Sequence, residues 1–473
     1  MKSICLTIAV LLTAALSPAA IPISGRPVPT MNAFDSAVTQ FMEQWNVEAA
    51  VVGIMRENRV VYLRGFGSMD AGVNMPENAM VRQASATKPA TAAAIRMLAA
   101  DGVLGAQGLE RRAFRISTNG VSNNGLINVT PFPSLGDARL ADITVRHLLE
   151  HKGGFFPRNA AEAGGPGDPV FRARDIAADM GVPSPPSRTN VIRWMLGQAL
   201  RHDPGDNYEY SNFGYLVLGE IIQQVSGMSY VNFLHERVFT PEMWVPQSEL
   251  EGGLTERISR NAREPWYRGG GDGPSVFDNT DPVEEVDVNY GGQFNMPMLM
   301  AHGGLIASAP TMLALGNHYC LDYPDIGQLN PPDSENHGGA LRGMQTELYR
   351  RSDGTVLFIF INKRWVNDLN GDQVPIADLK TTINDLINAG PGNHWSWPDA
   401  SSDGVWVQMT DRALPDGLGG YNSPWTGFGD AVTKAQPNTR LRLKAGDSNW
   451  TGTINKRLRL DAPLGLVRLG IPE

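Results

Sequence analysis

Two hairpin patterns that lie far apart in the sequence constrain the fold of this chain more than any other feature. The first, AAVVGIMRENRVVYLRGFGSMD, is rich in strand-forming residues on both sides of Glu57–Asn58, and the second, GGALRGMQTELYRRSDGTVLFIFINK, is similar around Ser352–Gly354. Segments with helical spacing, such as AAAIRMLAADG ending at Gly102, fill the sequence between them. This order predicts an α+β domain with a helical region, in which early and late strands share one antiparallel sheet flanked by helices.

The end of the chain predicts a separate module. A stretch rich in Pro, Gly and Ser, AGPGNHWSWPDASSDG, divides a domain over residues 31–390 from a tail over 398–473. The tail repeats itself, because RLRLKAG from Arg440 recurs as RLRLDAP from Arg457. Leu alternating with Arg is typical of half-buried strands, so we expect a small all-β module. It is either a stack of strand–turn rungs, as in a β-solenoid, or a β-sandwich.

Five of the ten tryptophans of the chain lie in the boundary stretch and the tail. Such residues either form a face that binds carbohydrate or belong to the core of the module. The first interpretation makes a glycan or a cell-wall polymer a candidate partner of the tail.

Composition excludes several other classes of protein. The 473 residues are 42% hydrophobic and 19% charged, which is ordinary for a globular protein that buries a large core. The formal net charge of −9 argues against nucleic acid as a partner, because a polyanion would be repelled. The sequence has no Gly-x-Ser-x-Gly elbow, phosphate loop or zinc-protease histidine pair.

The first residues, MKSICLTIAVLLTAALSPAA, have a basic start, an apolar stretch and then small residues. This pattern is typical of a secretory signal over residues 1–20 and predicts a periplasmic or secreted protein. The alternative, a membrane anchor, needs a longer apolar run of about 20 residues, so no stable membrane span is expected. Removal of the signal would leave Cys320 as the single cysteine, which excludes an internal disulfide.

The stretch RQASATKPATAAAIRMLAA places Ser85 three residues before Lys88 at the start of an alanine-rich helix. Residues i and i+3 share one face of a helix, so the hydroxyl and the amine can meet. Pro89 is tolerated only in a first helical turn, so the helix begins near Ser85 and its dipole favours negative charge there. A lysine amine can take the proton that activates a serine nucleophile. The alternative is a capping serine followed by a solvent-exposed lysine.

A second candidate is Tyr210-Ser211-Asn212, where a loop enters an apolar helix that ends at Gly227. A phenol can relay the proton of the nucleophile to the leaving group, and an amide can hold a substrate carbonyl or the lysine. The alternative is a buried Tyr210 beside an Asn212 that caps the helix. The triplet recurs at Tyr230–Asn232, so this spacing alone is not specific.

The third candidate is His337-Gly338-Gly339 at the start of a predicted strand. Glycines there let a substrate backbone approach the edge of the strand. The N–H groups of Ala340 and Ser85 could then form an oxyanion hole.

Two other histidines stand in a similar setting. His302 begins HGGLIASAP, where a helix starts soon afterwards, and is interpreted as a wall of the site. His151 follows the apolar VRHLLE and is interpreted as the end of a helix. Of the three histidines, His337 is preferred as the first residue of the third motif, because it alone stands at the start of a strand–turn–strand unit.

In this order the three motifs resemble those of the serine β-lactamase and penicillin-recognising superfamily. The closest resemblance is to the branch with class C β-lactamases, DD-peptidases, D-amino-acid amidases and β-lactamase-like (family VIII) esterases. The stretches ITVRHLLEHKGGF, DPGDNYEYSNFGYLVLGEIIQQVSG and HGGLIASAPTML support it over roughly residues 31–390, without the tail. The resemblance implies a β-lactamase/transpeptidase-like fold and acyl transfer to a serine and then to water, with no metal or organic cofactor.

The resemblance also implies roles for individual residues. Ser85 would be the acylated nucleophile, and Lys88 and Tyr210 would share the general base and acid steps. Asn212 would orient the substrate. The third motif would bind substrate through His337, Gly338, Gly339 and Ala340.

One position departs from the family pattern. β-Lactamases and DD-peptidases begin the third motif with a lysine, whose fixed charge attracts the substrate carboxylate. Here the residue is His337, which is mostly neutral above its unperturbed pKa of about 6.5. This weakens the case for an efficient β-lactamase and favours an esterase or amidase that acts on a small, less anionic ester or amide, with a D-amino-acid peptide or a β-lactam still open as substrate. The alternatives are a penicillin-binding-like sensor without turnover and a cell-wall or polysaccharide-binding protein whose tail dominates its role.

Overall fold

The computed structural model describes residues 20–56, 59–118, 121–157, 166–239, 243, 245–278, 280, 282–331, 334–367, 371–389, 404–409, 424–444, 446–462 and 467–470. The predicted signal, except its last residue, lies outside this part of the chain, as do the turn at 57–58 and most of the Pro-rich boundary stretch. Within the described ranges, no helix is long and apolar enough to cross a membrane.

The described helices are Asn32–Trp45 (α1), Lys88–Ala100 (α2), Val145–Leu149 (α3), Ala173–Met180 (α4), Arg188–Met195 (α5), Asn212–Ser226 (α6), Tyr230–Phe233 (α7), Ala309–His318 (α8), Ile376–Ala389 (α9) and Phe428–Lys434 (α10). The described strands are Ile23–Ser24 (β1), Ala49–Arg56 (β2), Arg59–Asp70 (β3), Val73–Asn74 (β4), Met80–Arg82 (β5), Ser117–Thr118 (β6), Val121–Ser122 (β7), Leu250–Gly252 (β8), Asp272–Pro274 (β9), Glu285–Asp287 (β10), Leu305–Ser308 (β11), Glu335–Leu341 (β12), Met344–Arg350 (β13), Val356–Ile361 (β14), Val405–Gln408 (β15), Trp425–Thr426 (β16), Arg440–Leu443 (β17), Gly446–Ser448 (β18), Arg459–Asp461 (β19) and Val467–Leu469 (β20).

A seven-stranded sheet forms the centre of the main domain. Its order is β1-β3-β2-β14-β13-β12, with β4 paired to β3, and every pairing is antiparallel. The two predicted hairpins meet at its centre, where Val52 of β2 lies opposite Ile359 of β14. The predicted α+β class and the sharing of one sheet by early and late strands are therefore confirmed.

Both faces of this sheet are buried, which explains why β2 is a continuous apolar run. Val52 and Ile54 face a cluster that α1 and α9 cover with residues such as Phe34 and Ile383. Val51 belongs instead to the larger core on the opposite face, where α8 packs against the sheet. Because side chains alternate between the two faces of a strand, a strand covered on both sides has to be apolar throughout.

A smaller three-stranded sheet leads to the region of the predicted site. Its order is β5-β11-β8, and all its pairs are antiparallel. β5 ends two residues before the 3₁₀ turn that carries Ser85, and α2 follows that turn. α2 packs against α6, the apolar helix that follows Tyr210. Two helices and two sheets thus meet where the candidate motifs were expected.

The tail is built mostly of short parallel strands. β16, β15, β17 and β19 form one parallel sheet, and β18 pairs with β20, also in parallel. The repeat at Arg440 pairs with the one that begins at Arg457, with Leu441 opposite Leu460. Parallel pairing of successive repeats favours stacked rungs over a β-sandwich. α10 is a helix within this strand-rich tail that the sequence pattern did not predict.

The three described tryptophans of the tail pack rather than form an open face. Trp406 is buried within the same apolar cluster as the main core. Trp425 and Trp450 are half-buried and pack against the small core of the tail. Lys444 is fully buried as well, and its Nζ donates to the main-chain oxygen of Met243 at 3.2 Å. The tail therefore packs directly against the main domain.

Candidate active site

Ser85 lies at a sharp junction between a strand and a helix. After β5 a 3₁₀ turn covers Ala84–Thr87, and α2 begins at Lys88 with Pro89 in its first turn. The start of α2 has no side-chain cap, so Ser85 is not the capping residue of the alternative interpretation. Its hydroxyl lies at the positive end of the helix dipole, which favours negative charge.

Ala84, the residue before Ser85, has a left-handed backbone with a φ of 47°. This conformation costs a residue with a Cβ about 1–2 kcal/mol. Neighbouring segments hold the turn, because Gln83 Nε2 donates to the Ala307 oxygen at 3.0 Å and its own carbonyl accepts from Thr346 Oγ1 at 3.0 Å. Such local strain often occurs at functional sites.

The strand before this turn is anchored by a buried cation. Arg82 Nε contacts Glu264 Oε1 at 3.2 Å, and both side chains are almost fully buried. The guanidinium also donates to the Asn289 carbonyl at 2.8 Å and lies 4.3 Å from the ring centroid of Tyr267. These contacts fix the end of β5 and with it the start of the Ser85 turn.

Lys88 is fully buried, and its amine contacts three oxygen atoms. Nζ lies 3.3 Å from Ser85 Oγ, 2.8 Å from Asn212 Oδ1 and 2.9 Å from the main-chain oxygen of His302. The amide and carbonyl oxygens can only accept, so two N–H bonds of Nζ point at them. The remaining position faces Ser85, where an ammonium would donate and a neutral amine would offer its lone pair.

Tyr210 contacts the same serine. Its hydroxyl donates to Ser85 Oγ at 2.8 Å, and its ring centroid lies 4.7 Å from Lys88 Nζ. The nucleophile candidate therefore lies within hydrogen-bond reach of both an amine and a phenol. Tyr210 lies far from Ser85 and Lys88 in the sequence, so only the tertiary fold brings the three side chains together.

Asn212 is the first residue of α6, but it does not cap the helix. Ser211 does so, because its Oγ accepts from the Gly214 N–H at 3.1 Å. The Asn212 N–H is bound by the buried carboxylate of Asp168, with Oδ2 at 2.8 Å. The Asn212 side chain is then oriented toward Lys88 rather than used in the helix end.

The third motif lies on β12, the edge strand of the large sheet. This strand passes beside the serine turn so closely that a Cβ on Gly339 would lie 2.3 Å from the Gln83 oxygen. Glycine is required there because no side chain fits between the strand and the turn. The contact brings Ala340, the next residue, beside the segment that carries Ser85.

His337 occupies the start of this motif and is buried. Its Nδ1–H donates to the Leu321 carbonyl at 2.9 Å. Burial, together with the positive charge of Lys88, lowers the pKa of His337 to about 4. The imidazole is therefore neutral at pH 7, so the third motif supplies no fixed positive charge through this residue.

A comparison with known families identifies the family of the chain. The family model described as Beta-lactamase matches residues 34–357, which is more than half of the chain and includes every candidate residue. The chain belongs to the beta-lactamase family.

This beta-lactamase family member is distantly similar to a curated protein. Protein flp of Staphylococcus aureus (strain COL) is 26% identical over 203 residues, which cover 42% of this chain and 34% of that protein. The match thus spans about a third of the curated relative's length.

Solved structures show the same fold at lower identity. The octameric penicillin-binding protein homologue from Pyrococcus abyssi has a TM-score of 0.51 at 18% identity, covering 76% of this chain and 78% of that one. D-amino acid amidase from Ochrobactrum anthropi SV3, complexed with L-phenylalanine amide, has a TM-score of 0.50 at 17% identity, covering 76% and 99%. At these identities the similarity shows the fold alone, and it confirms the β-lactamase/transpeptidase-like architecture.

The two rival histidines of this family member both lie near the site. His302 supplies the carbonyl that accepts from Lys88, as expected for a wall residue, and its imidazole is buried. His151 follows the end of α3 but also packs its ring against Tyr210, with centroids 4.5 Å apart. The rival triplet lies elsewhere, because the hydroxyl of Tyr230 contacts Thr91 Oγ1 at 2.6 Å.

Sequence reasoning missed three residues that support the site. They are the ring of His151, the carboxylate of Asp168 and the phenol of Tyr323, whose oxygen lies 2.7 Å from His151 Nε2. The sequence pattern at HKGG predicts only the end of a helix. Asp168 and Tyr323 stand in no motif, and only the fold brings them to the site.

A cleft of about 910 Å³ opens near the far end of β12. Its lining includes Arg342, which follows the last residue of that strand, and Phe171, which belongs to the short turn that starts at Pro169. The other wall is the glycine-rich stretch Gly270–Pro274. The cleft thus adjoins the strand of the third motif, but Ser85, Lys88 and Tyr210 do not line it.

Proposed function

We propose that this chain is a serine hydrolase that forms an acyl-enzyme at Ser85. The observation that carries the proposal is the double contact of Ser85 Oγ, which lies 2.8 Å from the Tyr210 hydroxyl and 3.3 Å from Lys88 Nζ. A serine that only capped a helix would have neither a buried amine nor a phenol at its hydroxyl. An amine and a phenol are the groups that can remove its proton and return it.

The reaction divides into two acyl transfers. In the first, Ser85 Oγ bonds to the substrate carbonyl carbon while its proton passes to the Lys88–Tyr210 pair. The N–H groups of Ser85 and Ala340 stabilise the resulting oxyanion. The bond to the leaving group then breaks as Tyr210 delivers a proton to it, and a water repeats the sequence to release the acid and restore the serine.

We propose that the substrate is an ester or amide whose leaving group carries no carboxylate. The support is the neutral His337 at the start of the third motif, with its pKa near 4. Asp322 follows the residue that His337 binds, and its carboxylate would repel an anion on this side. D-amino-acid amides are the first class to test, because a similar structure is named a D-amino acid amidase. Export to the periplasm or medium, from the pattern of residues 1–20, is part of the same proposal.

The test is a substrate panel combined with detection of the acyl-enzyme. Purified protein is given p-nitrophenyl esters, D-alanyl amides and nitrocefin, and is then quenched for mass spectrometry. We expect turnover of the esters or amides, slower turnover of nitrocefin, and an acyl adduct on the peptide that contains Ser85. A stable nitrocefin adduct without turnover would instead support the penicillin-binding-like sensor. The absence of both an adduct and turnover would refute the proposal.

Replacing His337 with lysine should shift the preference of the enzyme toward anionic substrates. A fixed positive charge near a substrate carboxylate is worth about 1–2 kcal/mol at a partly screened site, which is roughly tenfold in kcat/KM. We therefore expect the ratio of kcat/KM for nitrocefin over a neutral p-nitrophenyl ester to rise about tenfold.

The matched control is His337→Gln, which keeps a neutral polar side chain at the same position. It should leave the ratio unchanged, whatever its effect on absolute rates. Equal ratios in the lysine and glutamine variants would show that this position does not set the charge preference. Circular dichroism and thermal unfolding check whether both variants are folded.

A further inference from the structure

We propose that His151 is a positioning residue that fixes Tyr210 for proton transfer at Ser85. The proposal rests on the hydrolase function above. His151 binds both residues that flank the tyrosine: its main-chain oxygen accepts from the Glu209 N–H at 2.8 Å, and its Nδ1 accepts from the Ser211 N–H at 3.1 Å. We call these two hydrogen bonds the His151 clamp. Tyr210 lies between the two clamped residues.

The clamp dictates the tautomer of the imidazole. A nitrogen that accepts from a backbone N–H cannot itself carry a proton, so the ring proton of a neutral His151 lies on Nε2. That Nε2–H is 2.7 Å from the Tyr323 hydroxyl, which accepts it. Burial, with the positive charge of Lys88, holds the pKa of His151 well below its usual value, so the ring stays neutral.

The ring also restrains the Tyr210 side chain by direct packing. The two ring centroids are 4.5 Å apart, and the planes are inclined by 39°. Tyr215 and Tyr323 lie against His151 at centroid distances of 5.1 and 4.9 Å. Because the imidazole is held by two hydrogen bonds and two other rings, it forms a rigid wall for Tyr210.

The backbone at His151 is shaped for this double contact. Its φ of 56° lies in the left-handed region, which residues with a Cβ rarely adopt. The chain turns sharply there, so that the carbonyl and the side chain both face the 209–211 segment. Asparagine is enriched in this conformation, and its Oδ1 can take the place of Nδ1 as an acceptor.

Three variants separate the clamp from general packing. His151→Asn keeps an acceptor for the Ser211 N–H, His151→Gln carries its polar group too far along the side chain, and His151→Phe keeps the ring without an acceptor. A small displacement of a proton-transfer group can cost up to about 10²-fold in rate. We expect kcat to fall roughly 30-fold in the phenylalanine and glutamine variants, with KM little changed, and roughly threefold or less in the asparagine variant.

A double-mutant cycle with Tyr210→Phe shows whether His151 acts through the tyrosine. If it does, His151→Phe has little further effect once the phenol is gone, so the two losses are strongly non-additive. Additive losses would overturn the proposal, as would a phenylalanine variant with unchanged kcat. Equal activities of the asparagine and glutamine variants would overturn it too.

A second measurement needs no substrate. Deuterium exchange of the peptide that contains Ser211 should become faster in the phenylalanine and glutamine variants and stay slow in the asparagine variant. Unchanged exchange in all three would refute the clamp even if the enzyme is active. A wild-type protein without turnover but with this exchange pattern would instead refute the proposed hydrolase function and leave the clamp as a structural contact.

Discussion

Replacement of Ser85 with alanine is expected to lower kcat/KM by about 10⁵-fold and to abolish labelling by a fluorophosphonate probe. The reason is that the proposed acyl-enzyme bond forms at Ser85 Oγ, which alanine lacks. Lys88 and Tyr210 would keep their positions but would have no hydroxyl nucleophile to deprotonate. Steady-state kinetics and in-gel labelling measure the two effects independently.

The matched control for this change is Ser229→Ala. Ser229 is a helix-mouth serine that does cap its helix, since its Oγ accepts from the Asn232 N–H at 3.3 Å. Its removal should cost about 1 kcal/mol of unfolding free energy and leave labelling and kcat/KM intact. Residual labelling in Ser85→Ala equal to that of wild type would place the reactive serine elsewhere and contradict the proposed function.

The parts of the fold that could be predicted are those encoded by short-range patterns. The two hairpins appear as strand-forming runs around turns, and their pairing with each other follows from the α+β order. Pro89 restricts the start of α2 to within a turn of Ser85, so the i, i+3 contact of Ser85 with Lys88 follows from helix geometry. No tertiary information was needed for these features.

The arrival of Tyr210 and Asn212 at the same pocket could not be derived from spacing. Their place in the chain matched a family pattern, and that resemblance led to the expectation. Their geometry depends on contacts with no sequence signature, such as Asp168 holding the Asn212 N–H and His151 holding the segment around Tyr210. The backbone conformation of Ala84 could not be predicted either, because nothing about an alanine indicates a positive φ.

The packing of the tail was missed for a different reason. A lysine is almost never fully buried, so Lys444 in an Arg- and Leu-rich repeat was not expected to contact another domain. In the structure burial lowers the pKa of Lys444 well below its usual value, and Trp406 joins the main core. A change in composition indicates where the main domain ends and the tail begins, but it does not show which surfaces of the two parts pack together.

Replacement of Lys88 with methionine is the second large effect, and we expect it to lower kcat by about 10⁴-fold. Methionine replaces the aliphatic part of the lysine side chain and ends one atom short of the amine, so it can neither accept a proton from Ser85 nor donate to Asn212 Oδ1 and the His302 oxygen. Loss of these two hydrogen bonds costs about 1–3 kcal/mol per unpaired acceptor, which relief from burying an amine partly offsets. Urea unfolding should therefore show a folded protein of moderately lower stability, so that the loss of activity reflects chemistry.

Lys88→Arg distinguishes a proton acceptor from a fixed cation. Arginine keeps a positive charge and several donors, but it does not lose its proton in proteins. If Lys88 accepts the serine proton, the arginine variant is as inactive as the methionine variant, with an intact fold. Substantial activity with arginine would mean that the charge of Lys88 matters and that Tyr210 alone removes the proton.

Lys88→Cys alkylated with bromoethylamine tests chemical rescue. The amine that this reaction restores is less basic than lysine, so it should recover turnover and move the acid limb of the kcat/KM profile to lower pH. An unshifted acid limb would show that another group controls it.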